Sequence, residues 1–187
     1  VLPEVPLRPG VHLVRLHRFF REALFPRRGA PVKARLVFDG KTVKTYTLVF
    51  EKGDEVVKTL EEFASAHGLG AARLSAIGAL SDAVLAYYDW ETKQFQEIPV
   101  DEQVEVLALG GTIAMSNERP RVHLHAVLGK RDGSVVGGHL FSAHVRPTLE
   151  MTLTDAEEPL VRREDEETGL TLIDLDAPDL APSERGS

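Results

Sequence analysis

The chain has 187 residues, of which 43% are hydrophobic and 27% are charged, and its formal net charge is −7. This composition supports one folded domain and excludes a chain that is disordered throughout, and no apolar run is long enough to predict a membrane-spanning helix. Cysteine is absent. Its absence excludes disulfides, a thiol nucleophile and cysteine metal ligands, and it agrees with the cytoplasmic location that we expect.

Charge is distributed unevenly along the chain. Residues 1–43 carry a net charge of +6, residues 44–154 a net charge of −5 and residues 155–187 a net charge of −8. We therefore predict a basic extension, a folded domain and an acidic extension that is disordered toward its end, from about residue 176. An acidic body repels phosphate, so sequence-independent binding of nucleic acid by the body is disfavoured.

The basic extension, residues 1–43, differs in composition from the rest of the chain. It holds five of the 11 prolines, and residues 11–25 form a basic stretch whose apolar side chains fall near one helical face. The stretch is a helix for a membrane surface or a partner, a targeting segment, or the product of a start site placed too far upstream. We favour the third interpretation, because Val43 precedes the first strand pattern and a valine-type codon can serve as a start.

The residues after this extension predict many strands and one clear helix. Residues 44–50 alternate as a strand does, and a helix is expected to begin after Asp54 as its N-cap and to end at Gly68 and Gly70. The remaining expected strands are 73–80, 83–89, 95–99, 104–115, 121–128, 135–139 and 144–153, with edge strands at 160–163 and 170–175.

Glycine and aspartate mark the expected breaks between these strands. Residues 80–82 and 130–133 predict turns, the second of them a tight hairpin turn that ends in Asp-Gly, and the pair Gly110-Gly111 predicts a bulge or bend. The pattern as a whole predicts an α+β fold, in which a mainly antiparallel sheet packs against one main α-helix.

A group of histidines is the strongest chemical feature of the sequence. His123 and His125 flank one residue of an expected strand, so their side chains point to the same face. The hairpin turn at 130–133 brings His139, which follows two glycines, near this pair. Three convergent neutral imidazoles can bind a divalent transition metal and leave one position open. The alternative is that the histidines are polar interface residues without a metal.

Other candidate site residues rest on weaker patterns. Glu105 is the candidate for a fourth metal ligand or a general base, although a strand glutamate is more often simply solvated. The basic residues Arg119, Arg121, Lys130 and Arg131 are close in sequence on loops beside the histidine strand and are candidates for nucleic-acid contact, although such a group is more often a solvated turn. The chain contains no P-loop, dinucleotide-binding or nucleophile-elbow motif.

Four short segments occur in an order that resembles a known family. They are Ser75–Asp82, Glu105–Gly111, His123–Ala126 and Gly137–Leu140. Together they resemble the plants-and-prokaryotes-conserved domain, or PPC domain, over about residues 44–154. The resemblance implies an antiparallel sheet packed against a helix, and it implies a homotrimer.

The resemblance also has implications for ligands. It implies a metal, zinc, held by His123, His125 and His139. Single-domain bacterial members are labelled DNA-binding, and plant members add an AT-hook containing Arg-Gly-Arg-Pro, which does not occur in this chain. Plant members also use a Gly-Arg-Phe-Glu-Ile-Leu stretch for partner contact. At the matching positions, 102–107, only Glu105 and Leu107 are identical.

These observations predict a homotrimeric regulatory or binding protein that contacts DNA or a regulatory protein and holds a metal at the three histidines. The first alternative is a metal-dependent enzyme that acts on a small molecule, with Glu105 as its base. The second is a scaffold in which the histidines are interface residues.

Overall fold

The computed structural model describes residues 32–40 and 43–177. The basic stretch at 11–25 and the chain end at 178–187, for which disorder is predicted, lie outside the described residues. The elements are β1 Lys33–Asp39, β2 Val43–Phe50, α1 Val56–His67, β3 Ala71–Asp89, β4 Gln94–Val100, β5 Val104–Ser116, β6 Arg119–Gly129, β7 Val135–Ala156, β8 Val161–Glu164 and β9 Thr171–Asp174. Within these ranges, no helix is long and apolar enough to cross a membrane.

The strands of the described residues form one sheet that is almost entirely antiparallel. The exception is a single parallel bridge between β5 and β8, at Met115 and Val161. Four pairings, β7 with β3, β3 with β5, β5 with β6 and β6 with β7, return to their starting strand and form a ring. The expected antiparallel sheet and its helix are both present, and strands dominate the architecture.

Helix α1 lies against β6 and β7 and buries the face formed by Val56, Leu60, Phe63 and Ala64. Gly68 ends the helix in the left-handed conformation, as predicted. The predicted N-cap, Asp54, is wrong by one residue.

Glu55 is the N-cap, because its carboxylate accepts the backbone N–H groups of Val57 and Lys58 at 3.3 and 2.5 Å. The Asp54 carboxylate is engaged in the preceding turn, where it accepts the N–H of Glu51 at 2.8 Å.

Strands β3 and β7 are long and pass through bends that the sequence analysis reads as chain breaks. The predicted turn at 80–82 is wrong, since β3 is continuous and its pairing with β7 shifts register on either side of Leu80. The bend is formed by bulges, which re-aim a strand without ending it. The predicted bulge at Gly110-Gly111 is also displaced, because the pairing of β5 with β6 shifts between Val106 and Ala108.

Strand β1 lies within the segment that the sequence analysis separates from the domain. All seven of its residues are exposed, and it is attached through backbone pairing with β2. A strand that buries no face leaves no alternating apolar pattern, so its sequence carries no signal for it.

The two strands expected in the acidic extension do form, as the hairpin β8–β9. Main-chain hydrogen bonds contribute to its attachment to the sheet: the Met115 N–H donates to the Leu160 carbonyl at 2.7 Å, and the Leu160 N–H donates to the Gly70 carbonyl at 3.1 Å. The Tyr88 hydroxyl of β3 also donates to the Thr168 carbonyl, at 2.6 Å.

Gly78 lies at the bend of β3, and its substitution tests how closely β3 packs against β7 there. Its φ is 150°, and a Cβ atom there would lie 2.4 Å from the Thr148 carbonyl oxygen. Gly133, in the hairpin turn, has a φ of 83° and no atom within 4 Å of an added Cβ. We expect Gly133→Ala to lower the free energy of unfolding by about 1 kcal/mol, from backbone strain alone.

Gly78→Ala adds a backbone clash to that strain, and we expect a loss of at least about 3 kcal/mol. The measurement is urea unfolding of both variants and the parent at one protein concentration. Equal losses in the two variants would show that β3 accommodates a side chain at its bend.

Candidate metal centre

Three histidines converge on the outer face of the ring, where β6 pairs with β7. His123 and His125 alternate with the buried Leu124 on β6, so both imidazoles project from the same face. On β7, His139 lies directly opposite His125 in the strand register. The hairpin turn at 130–133 thus has the effect that the sequence analysis expects of it, and it places the third imidazole beside the other two.

The geometry of this group, the His triad, is that of a preformed ligand set. One ring nitrogen from each histidine lies within 4.8 Å of the others. The Nε2 atoms of His123 and His125 are 3.1 Å apart, and the ring centroids are 4.9 to 5.3 Å apart. Nitrogens this close can share one ion at ordinary metal–nitrogen bond lengths of about 2 Å with small rotations of the rings.

A missing side chain on the neighbouring strand makes this arrangement fit. Gly111 on β5 lies beside the backbone of His123, and a Cβ atom at Gly111 would lie 2.1 Å from the His123 carbonyl oxygen. Glycine is therefore required at this position for β6 to keep its place. Gly111, predicted as part of a bulge or bend, packs closely against the β6 backbone at His123.

The electrostatic environment lowers the pKa of two members of the triad, His123 and His139. The pKa of His139 is lowered to about 4, chiefly by burial and then by the positive charges of His123, His125 and Arg162. Burial also lowers the pKa of His123, with Arg162 and His125 as the further causes. At neutral pH these two imidazoles carry no charge and offer a lone pair, which is the form that ligates a metal.

Aromatic rings cover one side of the triad. The ring centroid of His139 is 5.1 Å from that of Phe95 on β4 and 5.3 Å from that of Phe141 on β7. These contacts fix the orientation of the His139 ring and exclude water from that side. The donor set of three imidazoles, with no carboxylate among them in the described chain, suits zinc or a similar borderline ion better than Mg²⁺ or Ca²⁺, which prefer oxygen.

Glu105 lies away from the triad, contrary to its candidacy as a fourth ligand or base. It pairs with Gly129 at one end of β5, whereas His125 pairs with Gly110. The five residue steps from Glu105 to Gly110 span about 17 Å of extended strand. Proximity in sequence order is lost here because the strands are long.

The four basic residues proposed for nucleic-acid contact do not form one cluster. Arg121 and Lys130 are at opposite ends of β6, about 30 Å apart at the usual strand rise. Both are also paired with carboxylates: Arg121 Nη1 is 3.2 Å from Glu61 of α1, and Lys130 Nζ is 2.6 Å from Glu102. Arg119 lies beside Arg121 in sequence, and Arg131 follows Lys130 in the hairpin turn.

The sequence analysis missed Arg162 on β8. This residue is 9% exposed, and its guanidinium donates to Thr112 Oγ1 at 2.8 Å and to the Thr171 carbonyl at 3.4 Å. It acts on the pKa of both His123 and His139, so it lies close to the triad. One arginine in an acidic, motif-free stretch carries no sequence signal. Only the docking of β8 against β5 reveals its position.

Comparison with family models matches residues 38–157 to the Plants and Prokaryotes Conserved (PCC) domain, the family abbreviated PPC above. No significant match occurs among curated proteins.

Several solved structures share the fold. A metal-containing protein from Archaeoglobus fulgidus is 40% identical, with 73% of this chain and 97% of that chain covered and a TM-score of 0.67. A candidate DNA-binding protein from Bacteroides thetaiotaomicron is 26% identical, with coverage of 79% and 99% and a TM-score of 0.72. A plant- and prokaryote-conserved protein from Pyrococcus horikoshii is 25% identical, with coverage of 75% and 100% and a TM-score of 0.67.

Proposed function

The chain belongs to the Plants and Prokaryotes Conserved domain family, and on this premise we propose that it is a homotrimeric binding protein that holds a divalent transition metal, zinc, at His123, His125 and His139. The observation that carries the proposal is the convergence of three ring nitrogens within 4.8 Å of one another. The 40% identical protein from Archaeoglobus fulgidus is called metal-containing, which supports a metal in this chain.

The three imidazoles would leave at least one coordination position open, and the metal would supply Lewis acidity there. The residues of the chain do the rest: the triad binds, and Phe95 and Phe141 orient His139 and keep water from one side.

The catalytic alternative also requires a group that moves a proton. Among the described residues no carboxylate joins the triad, and Glu105 is at the far end of β5. Binding is therefore the role that we propose, in preference to catalysis.

Metal content per protomer tests the site directly. In the natively purified full chain we expect close to one zinc ion per protomer. We expect His123→Ala and His139→Ala to lose it, because two imidazoles hold zinc far more weakly than three. His144→Ala is the matched control: His144 is exposed, its Nδ1–H donates to the Asp82 carboxylate at 2.7 Å, and it lies outside the triad.

The measurement is elemental analysis by mass spectrometry on dialysed protein. Metal that persists in both triad variants, or a parent protein that takes up none when zinc is supplied, would refute the site.

An apolar face beside the triad supports the homotrimer. Leu107, Val127 and Val135 are 54%, 41% and 57% exposed, respectively. They are neighbours: Leu107 lies against Gly129, which pairs with Val135, and Val127 is on the same strand as Gly129. Exposed apolar side chains grouped in this way are typical of a surface that a second chain covers. A second copy of this chain is the occupant that the family implies.

Val127→Asp tests this surface, because it places a charge at the centre of the face. Burying an unpaired carboxylate is costly, so we expect the variant to be monomeric where the parent is trimeric. Val37→Asp on β1, where the side chain is 52% exposed, is the control and should remain trimeric. Sedimentation velocity gives the mass in each case. A trimeric Val127→Asp variant, or a monomeric parent, would contradict the assignment.

DNA binding is the second candidate function. Its support is that structural neighbours from Bacteroides thetaiotaomicron and Ralstonia eutropha are named as candidate DNA-binding proteins. The net charge of −7 and the ion pairs of Arg121 and Lys130 weaken the attraction to phosphate.

Retention of duplex DNA at low salt tests this candidate. If the protein binds DNA, affinity should fall steeply as salt rises, because phosphate contacts release counterions. Two double variants remove the basic side chains at one end of β6 or at the other: Arg119→Ala/Arg121→Ala and Lys130→Ala/Arg131→Ala. The variant that no longer retains DNA identifies the contact surface. Lack of retention by the parent protein at low salt would eliminate DNA as a ligand.

A further inference from the structure

A groove of about 910 Å³ opens beside the His triad. Its walls come from β4, β6, β7 and the β8–β9 hairpin. The acidic extension therefore forms one wall of the groove, and the family domain forms the others. The lining residues include His123 and His139 at one end, and the arginines Arg119, Arg121 and Arg162.

The charge of this lining is opposite to that of the protein. Among the described residues, three arginines line the groove and no aspartate or glutamate does, although the full chain carries 29 acidic residues against 22 basic ones. A cleft lined by one sign of charge concentrates ligands of the other sign, because its low-dielectric walls focus the field.

Arg162 is an unusual member of the lining, because it is buried and incompletely paired. It is 9% exposed, and its Nε–H has no hydrogen-bond partner within residues 32–40 and 43–177 although the atom is shielded from solvent. Its Nη atoms donate to neutral oxygens, on Thr112 and Thr171, and no carboxylate of the same ranges forms an ion pair with it. A buried cation with neutral partners is costly, and an anion beside it would offset that cost.

Arg119 adds a second cation that the protein leaves available. Its side chain is exposed and makes no ion pair or hydrogen bond with the described residues. Arg121 differs, since it is held by Glu61 of α1. Two cations of the groove are therefore available to a ligand: the buried Arg162 and the exposed Arg119.

We infer that this groove binds a small anionic molecule carrying carboxylate or phosphate groups, with Arg162 and Arg119 as the residues that hold its charge. Guanidinium groups bind both kinds of oxyanion through paired N–H donors. The volume lies within the range of small-molecule sites, about 300 to 1,000 Å³. One component of this inference rests on the proposed function: an oxygen of the same ligand would occupy the open coordination position of the metal at the triad.

A small molecule suits this site better than a nucleic acid. The groove is concave, and the charge available in it is confined to two arginines. A duplex would also have to approach the rest of an acidic surface. Arg162 lies beyond residues 38–157, the part that matches the family model, so the inferred ligand is tied to the extension of this chain.

Calorimetric titration of the full chain with inorganic phosphate and with succinate tests the inference. We expect the parent to bind at least one of the two probes, and Arg162→Met and Arg119→Gln each to weaken that binding by about tenfold or more. Arg131→Gln is the matched control, because it removes an exposed arginine at the other end of β6 and should leave affinity unchanged. Since Arg162 is buried, thermal melting verifies that its variant is folded, and Arg119→Gln decides the question if it is not.

The same titrations in zinc-loaded and chelator-treated protein separate this inference from the metal proposal. Binding by chelator-treated protein that is lost in the arginine variants supports the groove even where no metal is found. Three results would overturn it. Neither probe binds the parent protein, or the affinity is unchanged both in Arg119→Gln and in a folded Arg162→Met variant, or duplex DNA displaces the bound probe. Normal zinc content in those samples would leave the metal site standing.

Discussion

The pairing of β6 with β7 is the constraint on which the functional face depends. It closes the ring of β7, β3, β5 and β6, and it sets His125 opposite His139. Side chains alternate along strands, so a slip of one residue would turn His123 and His125 toward the core and destroy the site. The register is held on the other side by Gly111, whose hydrogen lies where any side chain would meet the His123 backbone. The triad is therefore a property of strand register, and its ligands need no loop to position them.

The histidines could be predicted because their arrangement follows from local rules. A spacing of two residues places His123 and His125 on one face of any strand, and an Asp-Gly turn folds the following strand back on the first. The end of α1 was equally local, since Gly68 adopts a conformation that most residues avoid. That these histidines hold a metal stays a prediction: the convergence of their nitrogens is required for binding, and the metal content of the protein measures it.

The features that could not be predicted depend on distance along strands or on docking between distant segments. Glu105 and the pair Lys130 and Arg131 looked close to the triad in sequence, but extended chain separates residues by about 3.3 Å per position. Strand β1 lacks an apolar face, so its backbone pairing with β2 left no mark on composition. Arg162 occurs in an acidic stretch without a motif, and its approach to the triad results from the contact of β8 with the end of β5.

The way in which the β8–β9 hairpin is attached separates two tasks that many binding sites combine. Apart from the bond between Arg162 and Thr112, main-chain hydrogen bonds at Met115, Leu160 and Gly70 hold it to the sheet, and these main-chain bonds do not depend on which side chains the hairpin carries. One wall of the groove can thus be rewritten while the ring and its histidines stay as they are. Selectivity for a ligand, which depends on the hairpin, and affinity for an ion, which depends on the His triad, can then change independently. Transferring residues 158–177 to another member of the family would transfer this wall of the groove without the His triad that it faces.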